Sequence, residues 1–174
     1  MIFNILLFSP THPRKNLLNQ QLGVELAHRE LPENKLHTNS QIKIAPNCTT
    51  YYNWLEQEEY NKLLSIMNLS LQIGHTESFC YAFAETMLLG IPTLCSPCVA
   101  DNFNLPLNLR KELEVRNPDS VLEIKNKIID IYNLSEKETR ELSLCSKEYV
   151  KLFAQQNNQK LKEMLSTILN SIPN

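Results

Sequence analysis

The succession of hydrophobic segments predicts an α/β fold: a parallel sheet flanked by helices, with a helical C-terminal third. Three observations carry this expectation. The 174-residue chain opens on a nearly continuous apolar run, residues 2–8, the pattern of a strand buried on both faces. Strand-like segments then alternate with segments whose apolar residues recur at helical spacing, as in β-α-β units. The last third carries only helical signals.

Each element follows in order. Residues 2–8 form the first strand, and Ser9-Pro10-Thr11-His12-Pro13 is a turn. Residues 15–30 form a helix with Leu18, Leu22 and Leu26 at i, i+4 and i+8 as its apolar stripe, ended by Pro32 and Asn34. Residues 35–40 and 41–45 are candidate short strands. Tyr60, Leu63, Leu64 and Met67 mark an amphipathic helix; residues 69–73 form a strand, 79–89 a helix and 91–95 a further strand. Ser120 with Glu123, and Ser135 with Glu138, have the capping-box spacing of a helix start. Val121, Ile124, Ile128 and Ile131 are the stripe of one late helix, and Leu161, Met164, Leu165 and Ile168 that of the last. There is no internal repeat, linker or low-complexity tract, so residues 1–174 read as one domain.

Composition excludes several function classes. Lys and Arg total 17 against 19 Asp and Glu, a net charge of -2, so no basic excess is present to neutralise a phosphate backbone. That argues against nucleic acid as a partner. The three glycines, Gly23, Gly74 and Gly90, leave no material for a dinucleotide fingerprint or a P-loop. No apolar run reaches the roughly 18 residues of a membrane span, and residues 1–8 lack the basic flank of a signal peptide. Five cysteines without an export signal are expected as free thiols in the cytoplasm. Sequons at Asn47, Asn68 and Asn133 are expected by chance in so asparagine-rich a chain. Cys95-Ser96-Pro97-Cys98 has no second close pair to complete a zinc site and reads as core-edge thiols. Tyr51, Tyr52 and Trp54, without interleaved basic residues, read as packing.

The segment with most chemical content runs from Gly74 to Glu85 and closes with Gly90-Ile91-Pro92. Ligands of open parallel sheets bind beyond the carboxyl ends of the strands, where helix N-termini aim free amides at the crevice. Glu77 falls at such an edge, just before amides of Phe79, Cys80 and Tyr81 that open a helix. Glu85 follows eight residues later, up to roughly 12 Å along a helical axis, which suits a nucleoside-diphosphate sugar with its diphosphate between the two carboxylates.

Here the chain resembles a family. Glu77 and Glu85 match the E-x7-E motif of retaining glycosyltransferases of family 4, which have the GT-B fold, within the same strand, loop, Glu, helix, Glu, Gly-x-Pro, strand order. Residues 8–16 are similar to the family's first strand and following loop, and Asn117-Pro118-Asp119-Ser120 to its C-terminal end. The likeness covers nearly the whole chain, but only the donor-binding, Rossmann-like half of a GT-B enzyme.

The resemblance implies roles. Glu77 contacts the donor sugar and Glu85 the ribose hydroxyls; backbone at Ser78, Phe79, Cys80 and Tyr81 holds the diphosphate; Lys15 neutralises the leaving diphosphate; Arg14 and His75 join the donor site. Glu77 and Lys15 are thus the catalytic candidates. No cofactor or metal is implied, and the chain lacks the Asp-x-Asp pair by which metal-dependent glycosyltransferases hold a cation. The partner implied is an N-terminal acceptor domain, in a longer chain or a separate subunit. The chain departs from the family at Ser9-Pro10, where a Gly-Arg pair is common, and at Ser78 and Cys80, where glycines are. A non-catalytic nucleotide-sugar-binding module is therefore the alternative. A signalling receiver domain needs an acidic pair after the first strand, and residues 8–13 contain no acid.

Overall fold

The computed structural model describes residues 2–44 and 47–171, with side chains described through residue 160 and at 162. Five strands, β1 (Phe3–Leu7), β2 (Asn34–Thr38), β3 (Thr49–Tyr51), β4 (Leu69–Gln72) and β5 (Thr93–Cys95), pair in parallel in the order β3-β2-β1-β4-β5. The chain starts at the sheet centre, runs out to β3, and returns to β4 on the far side of β1. The direction of strand addition therefore reverses between β1 and β4. Register places Ile5 beside Leu36 and Leu69, and Leu71 beside Leu94, all fully buried on one face. The opposite face mixes Leu6 with Asn4, His37, Ser70 and Gln72. The apolar opening strand is as expected: Ile5, Leu6 and Leu7 are all buried.

Among the described residues seven α-helices follow or flank the strands: α1 (Leu17–Glu30), α2 (Gln57–Leu64), α3 (Tyr81–Leu88), α4 (Pro97–Asn102), α5 (Leu107–Leu113), α6 (Val121–Tyr132) and α7 (Glu136–Ser171). α1 packs along α6, and α3 against α7. Ile124, Ile128 and Ile131 form the buried stripe of α6, with Val121 half-buried. Ser135 and Glu138 exchange both bonds of a capping box. At Ser120 only half of one forms: its hydroxyl accepts from the Glu123 amide, while the Glu123 carboxylate turns to the amides of Arg116 and Asn117.

The structure corrects three local expectations. α1 does not bury the stripe Leu18, Leu22 and Leu26: Leu18 is 49% exposed and the other two are half-buried. Its core face is Leu17, Gln20, Gln21, Gly23, Val24 and Ala27. Two glutamines sit inside on hydrogen bonds to other elements: Gln20 Oε1 accepts from the Ile73 amide at 3.1 Å, and Gln21 Nε2 donates to Ser40 Oγ at 2.9 Å, while Gln21 Oε1 is buried without a partner among the described residues. Residues 41–44 are not a strand, and Ala45 lies outside the described residues. The Thr38 and Ser40 hydroxyls accept from the amides of Ser40 and Ile42, which removes donors that a ladder would need. The helix expected over 79–89 begins at Tyr81. Leu161, Met164, Leu165 and Ile168 lie outside the described side chains.

Candidate functional site

The reversal between β1 and β4 opens a crevice at their carboxyl ends, where the loops after the two strands diverge to opposite faces of the sheet. The loop after β1 passes through a 3-10 turn, Pro13–Lys15, and the loop after β4 runs from Ile73 to the start of α3. Lys15 and Glu77, 62 positions apart in sequence, meet there as an ion pair: Nζ lies 2.5 Å from Oε1, and the side chains are only 12% and 6% exposed.

The backbone is built for this contact. The His75 amide donates to the Arg14 carbonyl at 2.7 Å, Asn102 Nδ2 to the Glu77 carbonyl at 2.8 Å, and Gln20 Nε2 to the Lys15 carbonyl at 2.7 Å. Gly74 is required by close approach. A Cβ there would stand 3.1 Å from both the Arg14 carbonyl and Glu77 Oε1. Asn16, in the left-handed region at φ 55°, donates from Nδ2 to the Pro118 carbonyl at 2.6 Å, which joins the loop before α6 to the crevice.

The other expected residues divide. His75 is partly exposed, with Nε2 3.7 Å from Asp119 Oδ1. Arg14 and Ser78 are exposed, and Arg14 serves the loop through its carbonyl. His12 caps the 3-10 turn, its Nδ1 accepting from the Arg14 amide. Phe79 and Tyr81 are exposed at the mouth, their rings edge-to-face at 4.9 Å. Cys80 is the N-cap of α3 with no side-chain cap bond, so Phe79 and Cys80 precede the helix and its first-turn amides start at Tyr81. The Cys80 thiol is buried against Gln72 Oε1, and burial pushes its pKa up to about 11, so Cys80 offers the crevice backbone and no thiolate. Glu85 is exposed on α3; only residues 81–85 of the interval are helical, so the roughly 12 Å axial separation does not apply.

An aromatic pocket of about 250 Å³ beside the crevice escaped sequence reading. Phe8, Asn39, Asn53, Trp54, Leu55 and Tyr60 are among its lining. Trp54 is 87% exposed and is not the packing residue expected, whereas Tyr52 does pack, on Phe8 and His37. Burial first, and the Glu85 charge second, push the Tyr60 phenol up to about 12. The clue in sequence was the single Trp in the aromatic run Tyr51-Tyr52-Asn53-Trp54, which composition cannot distinguish from core.

None of the five cysteines is in a disulfide. Cys95 is fully buried, and burial raises its pKa; Cys98 is half-buried against Ser96 Oγ. Among the described residues no group of three or more His, Cys, Asp or Glu could hold a metal ion, and no helix is long and apolar enough to cross a membrane.

Strand order, switch point and flanking helices together define half of a GT-B fold, which the chain shares with glycosyltransferases. Three solved structures show the likeness. The N-terminal domain of trehalose-6-phosphate phosphatase from Candida albicans aligns with TM-score 0.75 and 17% identity, over 98% of this chain and 42% of that one. An E. coli trehalose-6-phosphate structure bound with UDP-2-fluoro glucose aligns with TM-score 0.73 and 12% identity, over 99% and 45%. The catalytic domain of cholesterol-α-glucosyltransferase from Helicobacter pylori aligns with TM-score 0.68 and 15% identity, over 90% and 99%. The chain thus spans less than half the length of the first two. No protein-family model matches it, and no curated protein does.

Proposed function

We propose that residues 1–174 are the donor-binding unit of a retaining, hexosyl-type glycosyltransferase resembling family 4, working in the cytoplasm with an N-terminal acceptor domain. It would bind a nucleoside-diphosphate sugar and present it for transfer. The observation that carries this reading is the Lys15–Glu77 pair at the switch point, which puts a cation for the diphosphate beside a carboxylate for sugar hydroxyls.

The remaining roles follow from position. First-turn amides of α3 and the backbone at Ser78–Cys80 face the diphosphate, with Arg14 and His75 on the adjoining loops. Glu85 takes the ribose, and the base lies in the Phe8–Trp54–Tyr60 pocket, where the Glu85 charge is felt at the Tyr60 phenol. Lys15 and the amides meet the phosphate charge in place of a metal ion, so a chelator should leave binding unchanged. Loss of binding on chelation would refute that arrangement.

The test is calorimetry of the chain with UDP-, GDP- and ADP-sugars, read in parallel by the fluorescence of Trp54, the single tryptophan. Saturable binding of one of them with a change in Trp54 emission is expected. Binding of none would overturn the reading. A non-catalytic module is the second reading, favoured by Ser9-Pro10: the loop offers no Arg there, and the Ser9 amide is already given to Asn39 Oδ1 at 3.0 Å. Turnover when an N-terminal acceptor half is supplied separates the two.

A further inference from the structure

Resting on that donor-binding reading, we propose that Glu77 competes with the donor diphosphate for Lys15, so that the crevice selects a sugar nucleotide over the free nucleoside diphosphate that transfer leaves behind. The Lys15 ammonium lies against Glu77 Oε1, and both side chains are almost withdrawn from water. Among the described residues Glu77 has no other ion pair. Its position is fixed from several sides: Asn102 holds its carbonyl, and Oε1 lies close over Gly74.

A diphosphate that draws Lys15 toward itself takes the counter-ion from a nearly buried carboxylate. Removing one partner of a buried pair is strongly unfavourable, because the remaining charge is left uncompensated. A free nucleoside diphosphate cannot make this good. It has no donor group at the Glu77 position, and its own negative charge lies beside the carboxylate. A sugar nucleotide can, since hydroxyls of the sugar donate to the carboxylate that Lys15 leaves. The same residue that orients the sugar therefore weakens retention of the product. Neither Arg14 nor His75 pairs with Glu77 among the described residues, so Lys15 is the counter-ion at stake.

The experiment compares wild type with Glu77→Gln, which keeps the side chain's size and removes its charge. Calorimetry uses UDP-glucose, GDP-mannose and ADP-glucose, each against its own diphosphate. For the best-binding pair, wild type should favour the sugar nucleotide at least tenfold. E77Q should bind the free diphosphate five- to tenfold more tightly than wild type and lose most of the preference. Equal or weaker diphosphate binding by a folded E77Q overturns the proposal and leaves the donor-binding reading standing. If E77Q does not fold, wild type alone decides: a free diphosphate bound as tightly as its sugar nucleotide overturns it. Absence of binding by every compound overturns the donor-binding reading itself.

Discussion

His37 on β2 is 4% exposed and lies between two polar partners: Nδ1 is 2.8 Å from Tyr52 Oη, and Nε2 is 3.0 Å from Asn4 Oδ1. Asn4 Nδ2 donates to the Ile66 carbonyl, which fixes its oxygen toward the ring. Nε2 therefore carries the proton, and Nδ1 accepts from the tyrosine, so the network is satisfied by a neutral imidazole. Burial, and then the charge of Lys35, hold its pKa down to about 4 from 6.5. Between these values the unfolded chain binds the proton and the folded one does not. Stability is therefore full above pH 6.5 and is lost as pH falls toward 4. Urea unfolding should show a loss on the order of 2 kcal/mol between pH 7 and pH 5, and H37Q should remove most of that dependence. A wild-type midpoint that does not move over this range would refute the account. Glu85 makes the complementary case. It is exposed, so Glu85→Ala should leave the melting temperature within a degree or two while cutting sugar-nucleotide affinity at least tenfold, the worth of one or two charged hydrogen bonds. Calorimetry beside a thermal melt checks both halves of that expectation.

The contact of α1 with α6 is set by Gly23, which lets Ile124 sit directly against the helix backbone. A Cβ at residue 23 would fall 2.5 Å from Ile124 Cγ2 and 2.9 Å from its Cβ. Gly23→Ala should gain about 1 kcal/mol of helix propensity and lose more than that to overpacking, about 1–3 kcal/mol and at the upper end for so close an approach. A net fall in melting temperature is expected, and a double-mutant cycle with Ile124→Ala, which removes the Cγ2 of the closest approach, should give a combined loss smaller than the sum of the two single losses; a stabilised G23A would show the two helices free to separate. The same helix shows what sequence could and could not convey. Alternation of strands and helices was legible because the buried central strands carry a nearly continuous apolar run at β1 and alternate leucines at β4. The facing side of α1 was not, because Gln20 and Gln21 enter the core on hydrogen bonds to Ile73 and Ser40 that exist only after the sheet forms. At the crevice, the spacing of Glu77 and Glu85 was visible in the chain. Asn16 and Asn102, which tie Pro118 and Glu77 into the loops, act across 102 and 25 positions and leave no local pattern.

At the scale of the molecule, the crevice is a one-sided surface. Lys15, Glu77, the α3 amides and the Trp54 pocket all lie at the carboxyl edge of a single sheet, and the chain spans 42% and 45% of two of its structural neighbours. On the proposed reading, the groups that hold the donor lie within these residues and those that orient an acceptor belong to an N-terminal domain. The chain alone should fold, since the central strands are buried on both faces and α1, α3, α6 and α7 pack in pairs beside them. It should bind the nucleotide. At a ligand concentration 100 times the dissociation constant, binding adds about 2.7 kcal/mol to stability, a rise of roughly 5–11 °C in melting temperature for a domain of this size. It should transfer no sugar, because stabilising the departing diphosphate accelerates nothing unless a nucleophile is held in line with it. The decisive measurement incubates the purified chain with its best-binding sugar nucleotide and a range of acceptors, with and without an added N-terminal half. Glycosylated product only in the presence of that half is the expected result, and appreciable transfer by the chain alone would show that the acceptor site lies within these 174 residues.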